Sequence, residues 1–119
     1  MTQHLGTLRQ LIVPVGSVEA ALPFYRDGLG LVVRFQDGDR WAALDAGGLT
    51  LALAGPGEHP AGDRVALGVK VADLDAAVAR VVAAGGTVVD PPQEGEHERR
   101  ATCLDGQGTP IALYEPLRN

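Results

Sequence analysis

The side chains that most often carry chemistry are sparse in this sequence. The three histidines, His4, His59 and His97, lie far apart, and no two have the spacing at which a helix or a strand presents metal ligands. His97 stands beside Glu98, and such a pair is able to act as a general base, but no candidate nucleophile or oxyanion site accompanies it. The single cysteine, Cys103, lies in an apolar run and is expected to be a small buried side chain. These residues alone specify no reaction.

Composition and charge limit the class of protein. The chain has 119 residues, 45% of them hydrophobic and 21% charged, which predicts one folded domain over 1–119. Its net charge of −5 disfavours nucleic acid and anionic membranes as partners. No signal peptide is recognisable, and no apolar run reaches the roughly 20 residues of a membrane helix. A lone cysteine cannot form an internal disulfide, so we expect a reducing, cytoplasmic location.

The elements that must position any site form an internal repeat. SVEAALPFYRDGLGLVV (17–33) aligns with DLDAAVARVVAAGGTVV (73–89). RWAALDAGGLTLAL (40–53) then aligns with RATCLDGQGTPIAL (100–113). Chance similarity in a chain rich in Ala, Gly and Val explains such an ordered match less well than a duplication does.

Each copy has the pattern βαβββ, and we predict a first module over 8–54, a linker over 55–64 and a second module over 65–116. The helices begin after Ser17 and Asp73, which are good N-cap residues. The predicted strands are 8–15, 31–35, 40–45, 49–54, 65–71, 87–90, 100–104 and 110–114. One such module leaves a sheet face bare, so two must cover each other, within one chain or across a dimer. We therefore predict an α+β fold whose curved mixed sheets enclose a cleft.

This arrangement resembles the vicinal oxygen chelate superfamily, which includes glyoxalase I, extradiol dioxygenases, fosfomycin-modifying enzymes and bleomycin-resistance proteins. The resemblance rests on FYRDGLGL after the first strand, on VADLDAAVARVVAAGG and on the final D-x-x-G-x-x-I-x-L-x-E-P. It extends from about Leu8 to Pro116. It implies a fold rather than one activity, because this fold hosts many chemistries.

In metal-using members of that superfamily, each module supplies two ligands, usually His or Glu, from its first and last strands. The resemblance places these positions at Gln10, Ala52, Ala66 and Ala112. A divalent metal needs several nitrogen, oxygen or sulfur donors that converge on one point, and an alanine methyl group donates nothing. We therefore expect no metal of the family type and no other cofactor.

Strand alternation places Gln10 and Ile12 on one face of the first strand, and the matching face of the other strands carries mostly small residues. Two interpretations stay open: the small residues let the sheet close tightly, or they leave an apolar pocket with a polar rim. Alternation does not settle whether Trp41 faces the same side as Arg100 and Thr102. The candidate ligand contacts are Gln10, Ile12, Trp41, Thr50, Ala52, Ala66, Gly68, Arg100, Thr102, Ala112 and Tyr114.

Segment 91–100 is polar and charged and is expected to be a loop. In the superfamily the corresponding loop often borders the mouth of the cavity. The resemblance therefore makes His97, Glu98 and Arg99 candidate lid residues.

Three functions fit these observations. The missing donors favour a metal-free protein that sequesters an antibiotic or metabolite, as in the bleomycin-resistance branch, although an aromatic content of 4% indicates a small or mainly aliphatic ligand. The alternatives are a lyase, isomerase or dioxygenase that uses an atypical metal or acid–base residues such as His97 or Glu115, and a regulatory module that binds a protein partner. The resemblance, together with an exposed sheet edge, predicts a homodimer.

Overall fold

The computed structural model describes residues 6–60 and 62–117, which form strands and two helices in the order predicted. The strands are β1 (Gly6–Pro14), β2 (Val32–Asp37), β3 (Trp41–Asp45), β4 (Thr50–Ala54), β5 (Ala66–Val71), β6 (Thr87–Glu94), β7 (Glu98–Leu104) and β8 (Pro110–Pro116). The helices are α1 (Val18–Pro23) and α2 (Leu74–Ala83). Neither described helix is long and apolar enough to cross a membrane.

All strands belong to one mixed sheet of eight strands in the order β2-β3-β4-β1-β5-β8-β7-β6. The two βαβββ modules join edge to edge where β1 pairs antiparallel with β5, opposing Gln10 to Gly68 and Ile12 to Ala66. The modules therefore pair within one chain, and the predicted α+β fold is confirmed. The sheet stays open, with β2 and β6 at its edges.

Both helices pack on one face of the sheet, and each covers its own module's core. The first core contains Val18, Leu22, Ala42, Leu44 and Leu53. The second contains Val71, Leu74, Ala101, Cys103 and Leu113. Cys103 is fully buried, as expected, and burial raises the pKa of its thiol. The alternation of the strands leaves the other set of side chains on the opposite face, which we call the helix-free face.

The predicted N-caps are confirmed at both helices. The Ser17 hydroxyl accepts a hydrogen bond from the Ala20 N–H at 3.1 Å, and an Asp73 carboxylate oxygen accepts one from the Ala76 N–H at 3.1 Å. Asp39 extends the first cap, because its carboxylate accepts hydrogen bonds from the Ser17 hydroxyl at 2.9 Å and from a backbone N–H at 2.8 Å.

Helix α1 ends at Pro23, which has no N–H to donate to the preceding turn. The chain continues in a π-helical turn over Phe24–Gly28, in which the Leu29 N–H donates to the Phe24 carbonyl at 3.0 Å.

Segment 91–100 is not the predicted loop. Most of it belongs to β6 and β7, which form an antiparallel hairpin. Only a short turn remains between them, closed by a hydrogen bond from the Gly95 N–H to the Glu98 carbonyl at 2.7 Å. Backbone pairing outweighs the polar composition here because this strand pair lies at the exposed end of the sheet, where polar side chains reach water.

Candidate functional site

The centre of the helix-free face is a small apolar cluster. Ile12 is 3% exposed, and Ala52, Ala54 and Ala66 are 0%, 1% and 0% exposed. Trp41 packs against this cluster from the first module, and Ala112 packs against it from the second. The small side chains therefore close the middle of the face tightly, and space for a ligand must lie toward its rim.

Gln10 lies across the seam between the modules. Its side chain rests on Gly68, where an added Cβ atom would overlap the Gln10 Cγ and come within 3.1 Å of its Nε2. Gly68 opposes both Gln10 on β1 and Ala112 on β8. The glycine is thus required by close packing, and the structure brings these three candidate residues together.

Trp41 faces the same side as the other candidates, which alternation alone left open. Trp41 opposes Ala54 on β4, just as Arg100 opposes Tyr114 on β8. Trp41 and Arg100 therefore occupy equivalent positions in the two modules. The sequence alignment instead matches Trp41 with Ala101. The difference arises because the loop between Leu104 and Pro110 is one residue longer than the loop between Asp45 and Thr50.

The four positions at which the superfamily places metal ligands lie on neighbouring strands of this face. Gln10 is the only one of them with a side-chain donor. Ala52 and Ala66 are fully buried and present only methyl groups, which cannot bind a metal ion. Residues 6–60 and 62–117 contain no group of three or more His, Cys, Asp or Glu side chains able to hold a metal ion. The residues present do not fit the family's metal.

A shallow cavity of about 320 Å³, largely open to solvent, lies at the rim of the face beside Thr50. It is lined by Arg9, Arg34, Asp45, Gly48, Leu49 and Thr50. Arg34 and Asp45 form an ion pair across it at 2.6 Å, and this contact, together with the Gly47 N–H, lowers the pKa of the Asp45 carboxyl.

Arg9 is a site residue that strand alternation assigns to the wrong face. The pairing of β1 with β5 shifts register between Leu8 and Gln10, so Arg9 is the extra residue of a β-bulge. A bulge re-aims a side chain, and here it brings Arg9 to the cavity wall beside Thr50. No pattern in the sequence marks this bulge.

Tyr114 forms the polar end of the helix-free face. It opposes Lys70 on β5 and Arg100 on β7, so these three side chains stand in one row. Burial raises the pKa of the Tyr114 hydroxyl, the positive charge of Arg9 opposes that rise, and Glu98 adds to it. The hydroxyl therefore stays protonated at neutral pH and lies close to both charged groups. Thr102 is buried in the same face, opposite Ala112.

The acid–base candidates of the sequence lie away from this face. Glu115 accepts a hydrogen bond from the Leu74 N–H at 2.8 Å and contacts Arg99 at 3.7 Å, so it stabilises the start of α2. The side chain of His97 is 91% exposed and approaches Glu96 at 3.8 Å. His4 lies outside the described residues.

Comparison with known proteins agrees with this fold. The sequence model of the Glyoxalase/Bleomycin resistance protein/Dioxygenase superfamily matches residues 5–113. An uncharacterised protein of Mycolicibacterium smegmatis is 38% identical over 118 residues, which cover 99% of each chain.

Solved structures are similar at lower identity. A superfamily member from Vibrio splendidus 12B01 has a TM-score of 0.74 at 19% identity, covering 92% of this chain and 99% of that one. Methylmalonyl-CoA epimerase from Mycobacterium tuberculosis has a TM-score of 0.74 at 24% identity, covering 99% and 93%. At these identities the likeness concerns the fold.

Proposed function

Since the chain belongs to the glyoxalase/bleomycin resistance protein/dioxygenase superfamily, we propose that it binds a small molecule on the helix-free face without a metal ion. One observation carries the proposal: three of the four positions used by metal-dependent relatives are alanine. Two of these alanines are fully buried in the closed centre of the face. A lone amide at Gln10 cannot hold a catalytic metal.

The geometry of the face supports a ligand at its rim. The cavity of about 320 Å³ beside Thr50 is at the lower end of the range for small-molecule sites. The apolar surface around Trp41 lies toward one end of the face, and the polar row at Tyr114 lies toward the other. This division favours a small amphipathic metabolite or antibiotic that the protein sequesters. We also propose a reducing, cytoplasmic location, because the lone cysteine forms no internal disulfide.

An enzyme of the same fold is the second candidate, and Tyr114 is the observation that favours it. Its partly buried hydroxyl, protonated at neutral pH beside Arg9, could donate a proton to a bound substrate. Turnover of a ligand that is lost in Tyr114→Phe, with binding retained, would support catalysis over sequestration.

We also propose that the protein is a homodimer. Strand β2 is an edge of the sheet, and large apolar side chains beside it are exposed, with Phe24, Val32 and Phe35 at 62%, 59% and 56%. A second copy would cover both the unpaired edge and these side chains.

The fluorescence of Trp41, the single tryptophan, tests the binding proposal. Titration with planar antibiotics and 2-oxo metabolites in a buffer containing EDTA should give a saturable change for at least one compound. The same titration of Gly68→Val, in which the added side chain displaces Gln10, should weaken that response. Trp41 lies at the opposite end of β3 from the cavity, so a flat signal across the whole panel, together with no heat of binding in calorimetry, would contradict a ligand on the helix-free face.

A further inference from the structure

Three cations on the helix-free face have no carboxylate partner within the described chain. Arg9, Lys70 and Arg100 make no ion pair with residues 6–60 or 62–117. By contrast, four other arginines each pair with a carboxylate: Arg26, Arg34, Arg40 and Arg99. Arg64, in the turn before β5, and Arg80, on α2, also make no ion pair within the described residues, so what distinguishes this face is that three such cations stand close together.

The backbone holds these cations close to one phenol. Lys70 and Arg100 oppose Tyr114 from the two strands that flank it, and directly opposed residues lie about 5 Å apart on the same face. The bulge in β1 brings Arg9 close enough for its charge to act on the same hydroxyl. Glu98 is the one acidic group that acts on Tyr114, so the cluster keeps an excess of positive charge.

No two of these cations oppose each other directly, since Tyr114 separates Lys70 from Arg100, but together they place an excess of positive charge around the phenol. An anion bound among them would accept charge-assisted hydrogen bonds, and guanidinium groups match the planar, forked shape of carboxylate and phosphate. The cluster also borders the cavity, since Arg9 contributes to both.

We propose that Arg9, Lys70 and Arg100, with the Tyr114 hydroxyl, form a site for the carboxylate or phosphate group of the ligand whose body occupies the adjacent cavity. Lys70, Arg100 and Tyr114 of the second module correspond to Pro14, Trp41 and Ala54 of the first, so the duplicated face has one apolar end and one anion-binding end. This inference rests on the proposed function and specifies the ligand as an acid.

NMR titration of the full chain with malonate, with inorganic phosphate and with malonamide tests the site. Malonamide is the neutral counterpart of malonate. We expect saturable shifts of the Arg9, Lys70 and Tyr114 amide signals with malonate or phosphate, and none with malonamide. The anion that binds more tightly, malonate or phosphate, identifies the group that the site prefers as carboxylate or phosphate.

Variants that remove one positive charge test which residues bind the anion. Arg9→Gln and Arg100→Gln should each weaken binding of the anion at least tenfold, as expected for loss of a charge-assisted contact. Arg26→Gln removes the same charge from the surface turn after α1, where Arg26 pairs with Asp27, and should leave the affinity within twofold.

Equal affinity in Arg9→Gln, Arg100→Gln and the native chain would overturn the site, as would equal shifts with malonamide or none with either anion. A Trp41 fluorescence response to neutral compounds alone would refute the acid and leave the binding proposal standing. Failure of both experiments would refute the proposed function itself.

Discussion

At the scale of single residues, alanine and glycine side chains at the centre of the helix-free face determine which ligands that face is able to bind. Ala52, Ala66 and Ala112 supply no donor at three of the four ligand positions, and Gly68 makes room for the Gln10 side chain, so the centre of the face packs closely. The sequence was sufficient to identify these positions as small. It was not sufficient to place Arg9, because a bulge depends on how two distant strands pair and not on local alternation.

A larger side chain at Ala66 should destabilise the protein, because the position is fully buried within the closed centre. We expect Ala66→Leu to lower the free energy of unfolding by about 1–3 kcal/mol through overpacking. Urea denaturation measures this. Ala83→Leu, at an exposed position of α2, is the control and should change stability by less than about 0.5 kcal/mol. An unchanged midpoint for Ala66→Leu would mean that the centre of the face is an open pocket.

Gly68 and Gln10 should be energetically coupled, since a Cβ at position 68 occupies the place of the Gln10 side chain. We expect Gly68→Ala to cost about 1–3 kcal/mol and to cost less when Gln10 is also alanine, with a coupling of at least about 0.5 kcal/mol. Urea denaturation of the native chain, Gly68→Ala, Gln10→Ala and the double variant gives this coupling energy. Gly106→Ala, which meets no neighbour within 4 Å, should be tolerated. Strict additivity would show that Gln10 does not rest on Gly68.

At the scale of elements, the helix caps and most strands followed local rules, whereas the length of the β7–β8 hairpin and the strands within 91–100 did not. Ser17 and Asp73 were identifiable as N-caps from residue type alone. The extra residue in the β7–β8 hairpin was hidden by an ungapped repeat, and this left the orientation of Trp41 undetermined. Segment 91–100 was misassigned because composition is a weaker constraint on a strand than its pairing with a neighbour.

The support that Asp39 gives to α1 should depend on pH. Hydrogen bonds from the Glu19 N–H and the Ser17 hydroxyl lower the pKa of the Asp39 carboxyl below 3.8. The carboxylate therefore stabilises the protein fully at pH values above the pKa that Asp39 has in the unfolded chain. This stabilisation is lost as the pH falls through the lower pKa that Asp39 has in the folded protein. The urea midpoints of the native chain and Asp39→Asn, followed from pH 7 to pH 3, should converge on acidification. A gap independent of pH would show that the ionised carboxylate is not what stabilises the helix start.

At the scale of the whole molecule, the two modules share one sheet whose halves have diverged. The two modules meet where β1 pairs with β5, and this pairing places Gln10 of the first module opposite Gly68 of the second. The repeat in the sequence was enough to anticipate the fold, because each module repeats the same order of elements. The chemistry lies where the repeat is broken, at pairs such as Trp41 and Arg100.

The proposed homodimer should be visible as a mass of about twice 12.4 kDa in light scattering coupled to size exclusion. Phe35→Glu should shift the protein toward the monomer, because it introduces charge on the exposed edge strand. Val82→Glu changes a comparably exposed side chain on α2 and should leave the mass unchanged. A monomeric mass for the native chain at micromolar concentration would rule out this assembly.

The central claim is that this member of a metal-using superfamily works without the metal. Elemental analysis by mass spectrometry of protein purified without chelator tests it most directly. We expect well under one equivalent of nickel, zinc, manganese or iron per chain, since Gln10 is the one side-chain donor at the four ligand positions. One equivalent of any of these metals, retained through purification, would contradict it.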